Sequence, residues 1–329
     1  MGWVDMKAAF ILPYFGPFDA LFPFFLHSCG FSPEITWLVF TDNHNPPAAP
    51  KNVRFHNISF GEMVQKVQQK YDFPISLRTP YRLCNFKPAY GDIFSDYLSN
   101  FDFWGYCDCD LIWGRLAFYW LQHAEQTDRF GIFGHCSLFR NTEKYRYLYK
   151  YHDAYKIAFS NDYSFLFDEI GFKKICEIAG VQRAPDFWLG DFAPRQFNFS
   201  PVYPCGASAT PAWLQVFSVE EDGRLLRHAV VNHEVVSNEM AYIHFLKRRM
   251  QVPTELDLDS RLMIVPNRIL NANEKITADF IRENTEPRFY YDYWRNGLAL
   301  RTIAKKLKHR FSSKRKRLLC DIDMSIKKT

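Results

Sequence analysis

No apolar run in this chain is long and unbroken enough to cross a membrane. The longest, Ala8–Leu26, is interrupted by Pro13, Gly16, Pro17, Asp19 and Pro23, and proline inside a helix removes a hydrogen bond and clashes with the preceding turn. No secretory signal is expected, and in the start MGWVDMK a Met occupies position 6, where myristoylation wants Ser or Thr. Paired cysteine spacing is also missing. The eight cysteines, at 29, 84, 107, 109, 136, 176, 205 and 320, have neither zinc-site spacing nor the density of a disulfide scaffold, which points to a reducing, cytoplasmic compartment. Internal repeats, low-complexity tracts and an interdomain linker before residue 300 are absent. The first loop, Tyr14–Phe18, holds no lysine or arginine, which argues against a nucleotidyltransferase with a basic, glycine-rich loop.

What is present is a folded chain. Of 329 residues, 47% are hydrophobic and 18% aromatic, far from the composition of disorder. The net charge of +5 is unevenly spread: residues 301–329 carry eleven Lys or Arg against two Asp, which leaves −4 for residues 1–300.

Buried strands are expected at Lys7–Leu12, Ile35–Thr41 and Asn52–Ile58, with a helix between the first two from Asp19 to Cys29. Ser59 and Glu62 form a capping-box pattern that opens a helix to Tyr71. A helix over Asp92–Leu98 precedes a strand from Phe103 to Asp108. Further on come a helix at Leu116–Gln126, strand, glycine break and strand over Phe130–Arg140, and a helix over Tyr145–Ala158. A hairpin turns at Glu220–Arg224, a strand covers Ala241–Leu246, and Ile264–Glu286 holds one more strand and a helix. Alternating strands and helices imply an α/β fold with a doubly wound sheet, whose ligands bind beyond the carboxyl ends of the strands.

The chemistry concentrates in FDFWGYCDCDLIWG, residues 101–114. Side chains alternate faces along a strand, so Asp108 and Asp110 are expected on one face and Cys109 on the other. Two carboxylates that close ask for a cation between them, and Mg²⁺ or Mn²⁺ suits oxygen ligands. The bland alternative is a chance triplet that ends a strand or caps a helix. His244 and Lys247 sit three apart at the end of a later strand, where an imidazole can join the metal and an ammonium can meet an anion; the alternative is a core histidine beside solvated lysines. Asp168 and Glu169 follow an apolar run and read either as a helix-start charge pair or as a functional pair. His135 lies just past a strand end.

The ordered set YRLCNFKPAYGDIF, FDFWGYCDCDLIWG, FGIFGHCSLFRN, FDEIGF and YIHFLKRRM resembles a bacterial glycosyltransferase family of capsular-polysaccharide and lipopolysaccharide gene sets. It is similar, more distantly, to metal-dependent GT-A enzymes such as glycogenin, and the likeness spans roughly residues 7–250. It implies a GT-A-like mixed sheet with helices on both faces over residues 1–297, and it departs from the family at Asn85, where an Asp is expected. It further implies a nucleotide-sugar donor, with Asp108 near the ribose and metal, Asp110 and His244 on the metal and Lys247 on the diphosphate. Tyr14 and Asp42 would hold the nucleoside, Lys87 would meet phosphate or sugar, and Asp168 or Glu169 would position the sugar or act as base.

Such an enzyme passes its sugar to a surface-polysaccharide or lipid-linked glycan. The second reading is a non-catalytic carbohydrate-binding or scaffold protein that keeps the fold. Residues 298–329 form a basic tail with an amphipathic pattern at Leu298, Ile303, Ala304, Leu307 and Phe311, which suits peripheral contact of residues 298–317 with the anionic inner face of the cytoplasmic membrane; the alternative is a solvated tail. No recognition motif accompanies the basic residues, so nucleic acid is not an expected partner.

Overall fold

The computed structural model describes residues 6–163, 167–184, 189–191, 215–245, 250–253, 257–265, 268–271, 275–285 and 313–327. Strand β1 (Ala8–Pro13) leads through a loop to helix α1 (Phe22–Cys29) and then to β2 (Ile35–Thr41) and β3 (Val53–Asn57). The helix starts later than the sequence pattern suggests. The Asp19 carboxylate accepts the Leu21 and Phe22 N–H groups at 2.9 and 3.0 Å, so Asp19 closes the turn ahead of the helix, whose N-cap is Leu21, rather than joining it. Helix α2 (Phe60–Gln68) carries the full Ser59–Glu62 capping box.

A 3-10 segment, Pro80–Ala89, leads into α3 (Tyr90–Ile93), a second 3-10 turn at Ser95–Tyr97, and β4 (Phe103–Cys107). The single helix expected over Asp92–Leu98 is therefore two short pieces. Next come β5 (Leu111–Trp113), α4 (Leu116–Leu121), β6 (Arg129–Phe133) and β7 (Cys136–Arg140).

Six of these strands form a mixed sheet in the order β3-β2-β1-β4-β7-β6. β3, β2, β1 and β4 run parallel, β7 pairs antiparallel with β4, and β6 pairs antiparallel with β7 and so runs in the direction of the first four. Residue alternation splits the core between its faces. Ala8, Phe10 and Leu12 pack with Trp37, Val39 and α1, whereas Ala9 and Ile11 pack with Leu38, Phe40, Trp104 and α2. Helices thus cover both faces, as the doubly wound pattern requires. The strand order reverses between β1 and β4, and loops diverge there to leave a crevice at the carboxyl ends.

Helix α5 (Glu143–Tyr147), a 3-10 stretch at Leu148–Asp153 and α6 (Ala154–Phe159) replace the one helix expected over Tyr145–Ala158. His152 and Asp153 adopt positive φ (51° and 57°), which breaks the helix between them. A wide π-type turn, Phe167–Gly171, opens into α7 (Phe172–Ile178).

The chain then builds two further sheets. β8 (Leu189–Asp191) belongs to a three-stranded sheet of order β5-β12-β8; β9 (Gln215–Val219), β10 (Leu225–Val231) and β11 (Glu234–Met240) open a five-stranded one. β12 (Tyr242–His244) returns to the small sheet, and β13 (Leu262–Val265) and β14 (Arg268–Asn271) complete the order β11-β10-β9-β13-β14. The hairpin at Glu220–Arg224 forms with Gly223 at φ 80°. Helix α8 (Ala278–Thr285) buries Ile281 against the large antiparallel sheet.

Of the tail, residues 298–312 lie outside the described residues, while α9 (Ser313–Lys327) seats Ile322 and Ile326 in the core beside Phe167 and Phe172. Ser325 reaches the His152 carbonyl and Lys174 pairs with Asp323. Among the described residues no helix is long and apolar enough to cross a membrane.

Candidate metal centre and pocket

The crevice at the β1/β4 divide is a pocket of about 770 Å³. Its walls come from the end of β1 (Leu12 to Phe15), the start of α1 (Asp19 to Leu21), the 3-10 segment (Pro80, Tyr81, Leu83, Cys84, Lys87), residues 107–110, Gly134 and the Asp168–Glu169 turn. Every expected acid of the first half except Asp42 is in that wall.

β4 ends at Cys107, and the triplet lies in the bend that follows. The alternation argument therefore does not apply: Cys109 lines the same pocket as Asp108 and Asp110. A different device converges the acids. The Asp108 N–H donates to the His135 carbonyl at 2.8 Å and the Phe245 N–H donates to the Asp110 carbonyl at 2.9 Å, which ties the bend to β7 on one side and β12 on the other. His244 Nε2 then stands 3.4 Å from Asp110 Oδ1. One ligand atom each from Asp108, Asp110 and His244 lie within 4.8 Å of one another. Ligands of octahedral Mg²⁺ stand about 3.0 Å apart when adjacent and about 4.2 Å when opposite, so the trio must draw together to share an ion, and two carboxylates with an imidazole suit Mn²⁺ or Mg²⁺.

His135 stacks on His244 with ring centroids 4.0 Å apart, and its Nε2 lies 3.1 Å from the Tyr242 hydroxyl. Burial, then the His244 ring and Lys87, push the His135 pKa well below the usual imidazole range. A neutral His135 leaves His244 one packed, uncharged wall. His135 thus backs the candidate metal ligand and is absent from the pocket lining.

Lys87 is buried and donates to Asp108 Oδ1 and to the Gly134 carbonyl, the latter at 2.7 Å. Burial disfavours its charge, but Asp108 and Asp168 outweigh that and hold its pKa well above that of ordinary lysine. In this arrangement Lys87 is an internal counter-ion to the acids, where the sequence suggested a contact to phosphate or sugar.

Asp168 is 2% exposed. Burial, and secondarily Glu169 and Asp108, push its pKa up to about 7 against the opposing pull of Lys87. Its Oδ1 accepts no hydrogen bond among the described residues. A Cβ on Gly134 would come within 2.8 Å of Glu169 Cγ and 3.0 Å of Asp168 Oδ2, so only glycine lets the β6–β7 turn approach the acid pair.

The remaining expected residues divide. Tyr14 lines the pocket, but its ring packs on Phe18 and Phe22 at 4.9 and 5.3 Å and its hydroxyl donates to the Pro17 carbonyl. Asp42 is not in the lining; its Oδ1 accepts the Gly16 N–H at 2.9 Å, and Asn43 donates to the Gly16 carbonyl at 2.6 Å. Gly16 has φ 91°, so the pair fixes a turn that only glycine makes easily. Lys247 lies outside the described residues.

Asp19, Tyr81 and Cys84 line the pocket without having been singled out, since no spacing marks them. Arg82 and Asn85 were also passed over as donors. Three apart in a 3-10 segment, they fall on one face and meet at one loop: Arg82 donates to the carbonyls of Asn161 and Tyr163 and Asn85 Nδ2 donates to the Tyr163 carbonyl at 2.7 Å, while Arg82 also donates to the Ser76 carbonyl. A carboxylate cannot donate, which explains Asn in place of the Asp expected there. Both residues anchor the loop that precedes the Asp168 turn.

A mixed sheet with helices on both faces, and a cluster of possible oxygen and nitrogen ligands at its topological divide, define an α/β protein with a candidate binding pocket. The chain belongs to DUF6625, a family of unknown function whose pattern matches residues 10–273, a span that includes every residue of the site and stops short of α9. No curated protein matches the chain.

Proposed function

We propose that the protein is a metal-dependent glycosyltransferase of GT-A-like fold that moves a sugar from a nucleotide donor to a surface-polysaccharide or lipid-linked glycan. The observation that carries the reading is the convergence of Asp108, Asp110 and the buried His244 at the wall of a pocket that the two acids line at the sheet's divide, large enough for a nucleotide-sugar. Asp110, His244 and Asp108 hold Mn²⁺ or Mg²⁺, which supplies positive charge where the departing diphosphate builds negative charge. Lys87 keeps Asp108 in place and offsets the acids around it. Lys247 serves as the diphosphate partner, and Phe15, whose ring meets Phe60 edge-on at 5.3 Å, offers an aromatic wall beside Tyr14 for the base. Asp168 and Glu169 orient the sugar or take a proton from the attacking hydroxyl.

Calorimetric titration of UDP and then GDP in the presence of Mn²⁺ tests this. Binding of one nucleotide that disappears with EDTA supports the reading, and sugar release from the matching UDP- or GDP-sugar extends it. A folded protein that binds neither nucleotide contradicts it.

A further inference from the structure

A single exposed aromatic side chain is ordinary on a protein surface. Tyr81 differs in where it stands and how it is held. It is 48% exposed and lines the pocket, whereas the other exposed large apolar side chains among the described residues, Tyr97, Phe118, Tyr147, Ile178, Val236 and Met324, are absent from the lining. Its backbone has little freedom. Pro80 precedes it with a locked φ, and Arg82 after it is buried and fixed to the Ser76, Asn161 and Tyr163 carbonyls, the last of which also accepts from Asn85. The 3-10 segment packs on the Phe167–Gly171 turn. Burial first, then Cys84, Asp108 and Asp168, push the Tyr81 hydroxyl pKa up, so the hydroxyl end reaches toward the acids while nearly half of the side chain stays open to solvent at the mouth.

Resting on the transferase reading above, we propose that Tyr81 is the platform of an acceptor subsite, on which the pyranose ring that receives the sugar lays its C–H face. A pyranose carries apolar C–H groups on its faces and hydroxyls around its edge. The negative face of an aromatic ring attracts the weakly positive C–H hydrogens. The carboxyl groups of the neighbouring turn suit the hydroxyls whether or not they are protonated, because a carboxylate accepts and a carboxyl also donates. Position separates this ligand from the donor. In the transferase reading the diphosphate goes to the metal at Asp108 and Asp110 and the base to the Phe15 wall, a different stretch of the lining. The ring at the mouth is left to the acceptor, which enters from solvent. Because its backbone is already fixed, Tyr81 loses little freedom when a weak ligand settles on it.

The test is ligand-observed NMR titration of methyl β-glucopyranoside against the full chain with Mn²⁺ and UDP, with sorbitol as the ligand that has hydroxyls but no ring. Saturation transfer should concentrate on the C–H hydrogens of one sugar face. Tyr81→Ala should weaken binding roughly tenfold or more, while Tyr81→Phe and the distant Tyr97→Ala keep it and sorbitol does not bind. Binding unchanged in Tyr81→Ala overturns the proposal, as does an equal loss in Tyr81→Phe, equal binding of sorbitol, or no binding of the glycoside. Loss of UDP affinity in Tyr81→Ala also overturns it, since the ring would then belong to the donor. If Tyr81→Ala does not fold, Tyr81→Leu removes the ring and keeps the bulk. UDP and GDP binding to the unaltered protein report on the transferase reading separately: glycoside binding that depends on Tyr81, with neither nucleotide bound, removes that reading and leaves the sugar platform.

Discussion

Two buried carboxylates in the main α/β unit, Asp92 and Asp168, are 4% and 2% exposed, yet their surroundings differ in kind. Asp92 accepts the Tyr149 hydroxyl at 2.6 Å and pairs with Lys70 at 3.3 Å and Lys150 at 3.1 Å, while Tyr71 supports Tyr149 from behind. Each charge and each hydroxyl there has its partner within the fold. Asp168 shares Lys87 with Asp108, which holds the ammonium directly, sits beside Glu169, keeps Oδ1 open among the described residues, and is pushed up to about 7 mainly by burial. A closed cluster holds elements together, whereas an open one is stabilised only when something binds. This contrast locates the site independently of the Asp-Xaa-Asp motif.

Mutations should break that contrast in opposite directions. Helix α9 packs on the segment that carries Lys150, with Ile322 1% exposed. Ile322→Asp buries an unpaired charge there, so a loss of at least ~4 kcal/mol is expected in denaturant unfolding. Asp92→Ala strands two lysines and a tyrosine, and the expected loss is about 3 kcal/mol.

Asp168→Asn should do the reverse. A carboxyl raised from 3.8 to about 7 in the folded state binds more protons folded than unfolded between those values. Its contribution to stability is then intact below pH 3.8 and fades as pH rises to 7. The variant, lacking that titration, should gain on the order of 4 kcal/mol over the parent at pH 8 and almost nothing at pH 4, measured by urea unfolding in EDTA. Equal pH dependence of the two proteins would remove the open-carboxylate argument.

The smallest effect lies far from both acids. Asn232 and His233 turn β10 into β11 with φ 50° and 68°, a two-residue turn that favours Asn-Gly. His233→Gly should raise stability by about 0.5 kcal/mol without touching nucleotide or sugar binding.

Much of the sheet could be read in advance because its strands are continuous apolar runs, as ITWLVFT at Ile35–Thr41 shows, fully buried along its length. β11 could not, because Glu234–Met240 is more than half polar and buries only Met240, and its turn bears His where glycine is usual. The helix over Tyr145–Ala158 has helical periodicity, but the break at His152–Asp153 depends on tertiary contacts that no local pattern announces, among them Ser325 on the His152 carbonyl. At the site, the acids were legible as residue types. Their convergence was not, because the alternation that was to align Asp108 with Asp110 ends at Cys107 and backbone ties from β7 and β12 replace it. Asp42 looked like a ligand-facing acid at a strand end, and instead holds Gly16. Lys87 could be recognised as a lysine near the motif, but only burial reveals it as an internal counter-ion.

The most direct test of the central claim is a calorimetric Mn²⁺ titration of the unaltered protein, Asp110→Ala and Asp92→Asn, each shown to be folded. The account predicts one Mn²⁺ site in the unaltered protein, weakened at least 100-fold by Asp110→Ala and unchanged by Asp92→Asn. Equal Mn²⁺ affinity in all three proteins would contradict it, since the open cluster would then be no metal centre.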